Sequence, residues 1–396
     1  MQGFPPPPAE RWVPESWQLG PANRWTFSHL REVVRTARVA APAGPPRAFQ
    51  PGDPLEPAGP ITLPGGRAGT LDALLEQTFT DGLLVLHRGR IVMERYPAEL
   101  TPTGTHALLS VSKSLIGSVV GILMDQGAVE EHANITTYLP ELVGCGYDGA
   151  TVRQLLDMRS GIRYSEHYED PGAEITMVGQ VVDWSPRVLV DLPTSLYDYL
   201  TLLVAAGAHG GPFHYRSCET DVLGWICERS TGRRMPELLS ELIWQPIGAE
   251  QDADAAVDRV GTVIHDGGLA AGLRDLGRFG QMLLDRGRVG DRQVVPEAFL
   301  DDTYAGAADS RAAFASSSTD TRMPGGMYRN QFWLPYPPDR QVLLCMGIYG
   351  QMIYVDPARE FVAVKLSSWP TAQQPELLGA TLAGIDAIGD ELVQAG

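Results

Sequence analysis

LLSVSKSLIG, residues 108–117, sets a serine and a lysine three positions apart where an apolar run turns into a helix. Residues three apart on a helix share a face, so the Ser110 hydroxyl and the Lys113 amine can meet over one turn. Of the 31 basic residues, only Lys113 and Lys365 are lysines. A hydroxyl is a poor nucleophile at neutral pH. A lysine desolvated by surrounding apolar helices is kept neutral and accepts the serine proton. Backbone N–H groups at the same helix start can hold an oxyanion. A plainer reading makes Ser110 a helix N-cap followed by a surface lysine. The apolar flanks and the rarity of lysine add weight to the catalytic one, and both stand on the residues alone. Ser112 and Ser114 have no lysine three positions on.

Working outward, Ser114–Gly127 reads as a buried helix closing at its glycine, and Leu71–Thr80 as a short one. LLVLHRGRIVMERY (83–96) reads as a hairpin turning at Arg88–Gly89. The next sheet signals lie far downstream: VLLCMGIYG (342–350), MIYVDP (352–357) and EFVAVKLSSW (360–369), divided by glycine and Asp-Pro turns. Glu376–Val393 repeats apolar residues at helical spacing. Between these ends Val152–Arg159, Thr220–Ser230, Asp275–Asp285 and a segment opened by Pro296 read as helices. The fold expected is α+β: an antiparallel sheet built from N- and C-terminal segments, flanking helices and a mostly helical inserted lobe. In domain terms, 1–66 is an arm and irregular cover, 67–110 with 340–396 an α/β lobe, and 111–339 a helical lobe with active-site loops. Pro5–Pro8 reads as a disordered lead, the segment with Trp12, Trp17 and Trp25 as an arm lying on the domain surface, and 305–320 as a flexible loop or loop-rich insertion.

With 396 residues and 44% hydrophobic content the chain can bury a large core. A formal charge of -17 repels phosphate backbones, so nucleic acid is not an expected partner. Cysteines at 145, 218, 227 and 345 are too scattered for a disulfide scaffold or a CxxC metal site, and the eight histidines make no HExxH motif, so no metal or other cofactor is expected. No signal-like start and no apolar run long enough for a bilayer point to a cytoplasmic protein without membrane contact, a monomer or homodimer.

These motifs resemble the serine β-lactamase and penicillin-binding-protein superfamily, and more closely its class C-like esterases and 6-aminohexanoate-dimer hydrolases. The likeness runs from NRWTFSHL (23–30) through the SVSK box to VAVKLSSWP (362–370). It implies that Tyr215, in HYRSCETDVLGWI, relays protons beside Ser110 and Lys113, with Ser217 where an asparagine commonly sits and Glu219 near the pocket. It puts GIYGQMIYVDP on the strand bordering substrate, with Ile348, Tyr349 and Gly350 at its edge and the Gln351 N–H joining that of Ser110 in the oxyanion hole. Ile348 then stands where relatives often carry Lys or His. Without the resemblance, Tyr215 is a half-buried aromatic and Gly350 a packing glycine.

The resemblance also implies that Tyr168 and Trp184 line the cleft, while the acidic position associated with amide-oligomer cleavage falls at Gly179. Asp183, Glu166, Glu169 and Asp170 are nearby acids without a place. The function expected is a serine hydrolase acting through an acyl-enzyme on a small-molecule ester or amide, with the ester favoured. Its alternatives are a transacylase with an amine acceptor and a non-catalytic or slowly acylated, penicillin-binding-like binding or sensor protein. A β-lactamase activity fits less well, because the Asn and Lys/His elements are altered.

Overall fold

The computed structural model describes residues 7, 11–57, 59–319 and 321–395. Its central sheet has eight strands in the order Met327–Arg329, Phe332–Leu334, Leu343–Gly347, Gln351–Asp356, Phe361–Ser367, Thr80–His87, Arg90–Arg95 and Gln50–Pro51. Pairing is antiparallel up to the last edge, where Gln50–Pro51 runs parallel to Arg90–Arg95. The expected antiparallel sheet is therefore mixed, and it draws strands from 50–51 and 327–334 that carry little strand pattern of their own. The hairpin turns at Arg88 and Gly89, both with positive φ, as its sequence requires.

The middle strands carry long apolar runs, broken at Asp81 and Lys365, because both faces are covered. Alternate residues part to opposite sides. Leu84, Leu86, Val362, Val364, Ile353 and Val355 share one core with the helix Leu273–Leu284. Leu83, Val85, Phe361, Ala363, Met352 and Tyr354 share another with the helices Leu71–Gln77 and Pro375–Ala395. Each fully buried side chain of this size contributes roughly 1.5–3 kcal/mol of transfer free energy.

A second antiparallel sheet, absent from the sequence expectation, orders Thr36–Val39, Ala253–Ala256, Leu269–Gly272 and Thr105–Ala107. Its last strand delivers the chain to the helix Val111–Asp125, whose residues 111–123 are all buried. A helix buried on every side belongs inside, and this one packs against the helix Ser217–Thr231 and the strand Leu343–Gly347.

Two stretches are more ordered than their sequence suggests. Trp17 is only 2% exposed: its ring meets Trp184 edge-on at 5.5 Å and its indole N–H donates to the Trp184 carbonyl at 2.8 Å. The segment 305–320 contains the helix Ser310–Ala315, held down by Phe314, which packs 5.1 Å from Phe213. The Pro5–Pro8 lead lies outside the described residues apart from Pro7. The four cysteines are free. Among the described residues no helix is long and apolar enough to cross a membrane, and no three His, Cys, Asp or Glu side chains group as metal ligands.

Candidate active site

Ser110 stands where the small sheet meets its helix. Hydrogen bonds from the Ala107 and Leu108 amides to the carbonyls of Phe27 and Leu269, each 2.8 Å, fix the approach. Leu109 then takes φ +46°, a left-handed conformation that costs a non-glycine residue of order 1 kcal/mol and turns the chain into the helix. Ser110 occupies the N-cap position but makes no side-chain cap bond. Its Oγ accepts instead from Lys113 Nζ at 2.9 Å, and Lys113 is buried, which removes the plain N-cap and surface-lysine reading.

The ammonium also donates to the Asp266 carbonyl at 2.7 Å and faces the Asp266 carboxylate at 3.4 Å. Tyr215 presents its ring 5.2 Å from Nζ, held by stacking on Trp333 at 5.3 Å and an edge contact with Tyr328 at 6.1 Å. Burial is the largest single influence on Lys113 and works against its charge, but the acids Asp266, Glu166 and Asp221, and Tyr215 once ionised, act the other way, and its pKa lies above the ordinary lysine value. Desolvation alone would leave the amine neutral, as the sequence leads one to expect. Charges contributed from three other segments reverse that sign. Burial raises the Tyr215 pKa, against the opposing pull of Lys113, so its hydroxyl is protonated at rest.

A cleft of about 300 Å³ opens over Ser110. Tyr168, Trp184, Ser217, Ile348 and Tyr349 line it as expected, together with Trp17, Val178, Gly179, Ile264 and Asp266. Gly350 and Glu219 do not. A Cβ on Gly350 would strike the Trp369 indole at 2.4 Å, so that glycine leans away from the cleft. Glu219 is fully buried beneath it, accepting from Ser160 Oγ at 2.5 Å and Arg216 at 3.3 Å, and burial raises its pKa to about 7. Asp183 pairs with Arg35 and Arg259, and Glu169 and Asp170 are exposed. Glu166 lies behind the cleft wall, where it accepts from the Ser217 amide at 2.6 Å and the Tyr168 hydroxyl at 2.7 Å.

The turn that follows Leu343–Gly347 approaches Ser110 at Gly347. A Cβ there would lie 3.2 Å from the Ser110 amide and 2.5 Å from the Leu108 carbonyl. Gln351 is paired across from Gly347, and its side-chain amide is spent on the backbone of Ser367. The Tyr349 amide is spent on the Ala372 carbonyl. Of the two glycines three residues apart, the structure brings Gly347 up to Ser110 and Gly350 up to Trp369. Nothing in the sequence around Asp266 or Trp17 marked them for the site, since each reaches Ser110 only through tertiary packing. Lys365 is buried in a separate nest, donating to the Thr78 carbonyl at 3.3 Å and contacting Ser367 Oγ.

Residues 68–385 match the family described as Beta-lactamase. Over 356 residues, 90% of this chain and 88% of the other, the sequence is 39% identical to the 6-aminohexanoate-dimer hydrolase of Paenarthrobacter ureafaciens. A solved structure from Bacillus anthracis, provisionally named a 6-aminohexanoate-dimer hydrolase, superposes with a TM-score of 0.88 at 27% identity, covering 96% of this chain and 97% of that one. The octameric penicillin-binding protein homologue of Pyrococcus abyssi shares the fold at a TM-score of 0.62 and 16% identity, over 81% of this chain and 76% of its own.

Proposed function

Because the chain belongs to the beta-lactamase family, we propose that it hydrolyses small-molecule esters and amides through an acyl-enzyme on Ser110. The observation carrying this reading is the 2.9 Å contact between Ser110 Oγ and a buried Lys113 Nζ, with Tyr215 beside it. Ser110 Oγ attacks the carbonyl carbon, and the carbonyl electrons move onto oxygen as the new C–O bond forms. The serine proton passes to the Lys113–Tyr215 pair once that pair has released a proton, and Tyr215 returns one to the departing alkoxide or amine. Water then attacks the ester, is deprotonated by the same pair, and frees Ser110. Since Lys113 is charged at rest, the rate should climb with pH.

The oxyanion is assigned to the N–H groups of Ser110 and Ile348. The Gly347–Ile348 peptide is the one pressed against Ser110, which argues for Ile348 in place of Gln351. Among the described residues lining the cleft there is no Arg, His or further Lys, while Asp266 and Glu15 are acidic. An acyl group that is apolar and neutral or cationic suits such walls, and an anionic one lacks a counter-charge. The relative named for 6-aminohexanoate-dimer hydrolysis makes a linear amide the natural second substrate. Gly179 on the wall offers no acid to hold an amino end, which favours the ester.

A panel of p-nitrophenyl butyrate, 6-aminohexanoate dimer, a cephalosporin and an ester with added amine tests this. Turnover of the neutral ester that vanishes in Ser110→Ala is expected. Retained turnover in that variant would overturn the scheme, and an amide product with added amine would make the enzyme a transacylase.

A further inference from the structure

We infer that Glu166 is a positioning residue of this site, one half-buried carboxylate that ties the cleft wall to the Lys113–Tyr215 pair. The inference rests on the acyl-enzyme reading above. The helix Ser217–Thr231 begins two residues after Tyr215, and its N-cap residue, Arg216, supplies no side-chain cap. The first amides of a helix have no partner inside it and carry the positive end of its dipole. Glu166, fifty-one positions earlier in sequence, fills that role from outside with Oε1 on the Ser217 amide at 2.6 Å. Its other oxygen, Oε2, takes the Tyr168 hydroxyl at 2.7 Å. Tyr168 and Ser217 are both cleft walls, so a single carboxylate sets their separation and fixes where the chain carrying Tyr215 enters its helix. Both distances are those of charge-assisted hydrogen bonds.

The same carboxylate acts on protonation. The groups facing Glu166 are Lys113 from the nucleophile helix, Tyr215 and Cys218 at the helix start, Asp266 from the loop opposite, and Tyr164 and Tyr168 on its own segment. Lys113 additionally faces Asp221. Burial pushes the Glu166 pKa up, opposed by Lys113 and by the two bonds just described. In its ionised form Glu166 favours the Lys113 ammonium. Removing that charge while keeping the shape therefore lowers the pH at which Lys113 gives up its proton and Ser110 becomes reactive.

Glu166→Gln keeps an acceptor for the Ser217 amide and a partner for Tyr168 but deletes the charge. Glu166→Leu deletes both. The readout is the rate at which a neutral aryl alkylphosphonate ester modifies Ser110, followed by intact mass across pH 5–10. In the parent, the rate rises with pH. In Glu166→Gln the rising limb should move to lower pH by about one unit. In Glu166→Leu, KM for p-nitrophenyl butyrate should rise further than in Glu166→Gln, because the Tyr168 tether is lost as well. A Glu166→Gln profile that superimposes on the parent's overturns the inference, and this variant decides alone if Glu166→Leu does not fold. A parent that never forms an adduct at Ser110 refutes the acyl-enzyme reading itself, which is a distinct result.

Discussion

Replacing Gly347 with alanine perturbs the proposed oxyanion hole without touching any reacting atom. Gly347 has φ −129° and ψ 149°, an extended conformation that alanine adopts freely, so backbone strain is not at issue. The added methyl is what matters. It would sit 2.5 Å from the Leu108 carbonyl oxygen, where ordinary contact starts at 3.4 Å, so the turn must back away by about 0.9 Å. The neighbours are the Leu108 carbonyl and Ser110 amide leading into the helix Val111–Asp125, together with Gln351 Cβ at 3.1 Å, and they have little room to yield. A donor displaced by about 1 Å costs on the order of 100-fold in rate, and a donor lost outright 100- to 1,000-fold, or about 2.7–4 kcal/mol of transition-state stabilisation. Steady-state hydrolysis of p-nitrophenyl butyrate should therefore show kcat down about 100- to 1,000-fold with KM little changed, since the oxyanion exists only after attack. Circular dichroism at 25 °C should show a folded protein. A folded variant with kcat within about 3-fold of the parent would refute the assignment of this turn to the oxyanion hole.

Three further outcomes follow from the same geometry. Tyr215→Phe keeps the stacking on Trp333 and loses only the hydroxyl, so kcat should fall on the order of 100- to 10,000-fold while KM and the melting temperature stay close to the parent's. Glu219 has a pKa of about 7 against an ordinary 4.5, so between those values the folded protein holds a proton that the unfolded chain lacks, and stability falls as pH rises. Glu219→Gln removes that fall, and thermal melts should show its advantage over the parent growing from pH 4.5 to 7 and level above. Lys365 behaves in the opposite sense. Burial lowers its pKa to about 7 from 10.5, so the unfolded chain holds the extra proton across that window and stability rises with pH. Lys365→Met should gain melting temperature relative to the parent at pH 6 and lose that gain by pH 10.

The parts of the fold that could be read in advance were those where local pattern and burial agree. The continuous apolar run Leu83–Leu86 and the glycine after Arg88 specify a covered hairpin whatever lies around them. The pairing of Ser110 with Lys113 was likewise legible, because helical spacing fixes it within one turn. What could not be read depends on chain segments that meet only in three dimensions. Asp266 reaches Lys113 from 153 positions away and, with Glu166 and Asp221, inverts the charge state expected from burial alone. Trp17 reads as an arm residue until Trp184 covers it. The choice between Gly347 and Gly350 turns on which of them abuts Ser110 and which abuts Trp369, and the two glycines look alike in the sequence. The strands Met327–Arg329 and Phe332–Leu334 are short and gain their place by pairing with each other and, through Phe332–Leu334, with Leu343–Gly347.

The most direct measurement of the central claim is peptide mapping of the chain after reaction with an aryl phosphonate ester, run beside Ser110→Ala. The account predicts one adduct, on Ser110, formed faster as pH rises and absent from the variant. An adduct on another residue, or undiminished ester turnover in Ser110→Ala, would contradict it.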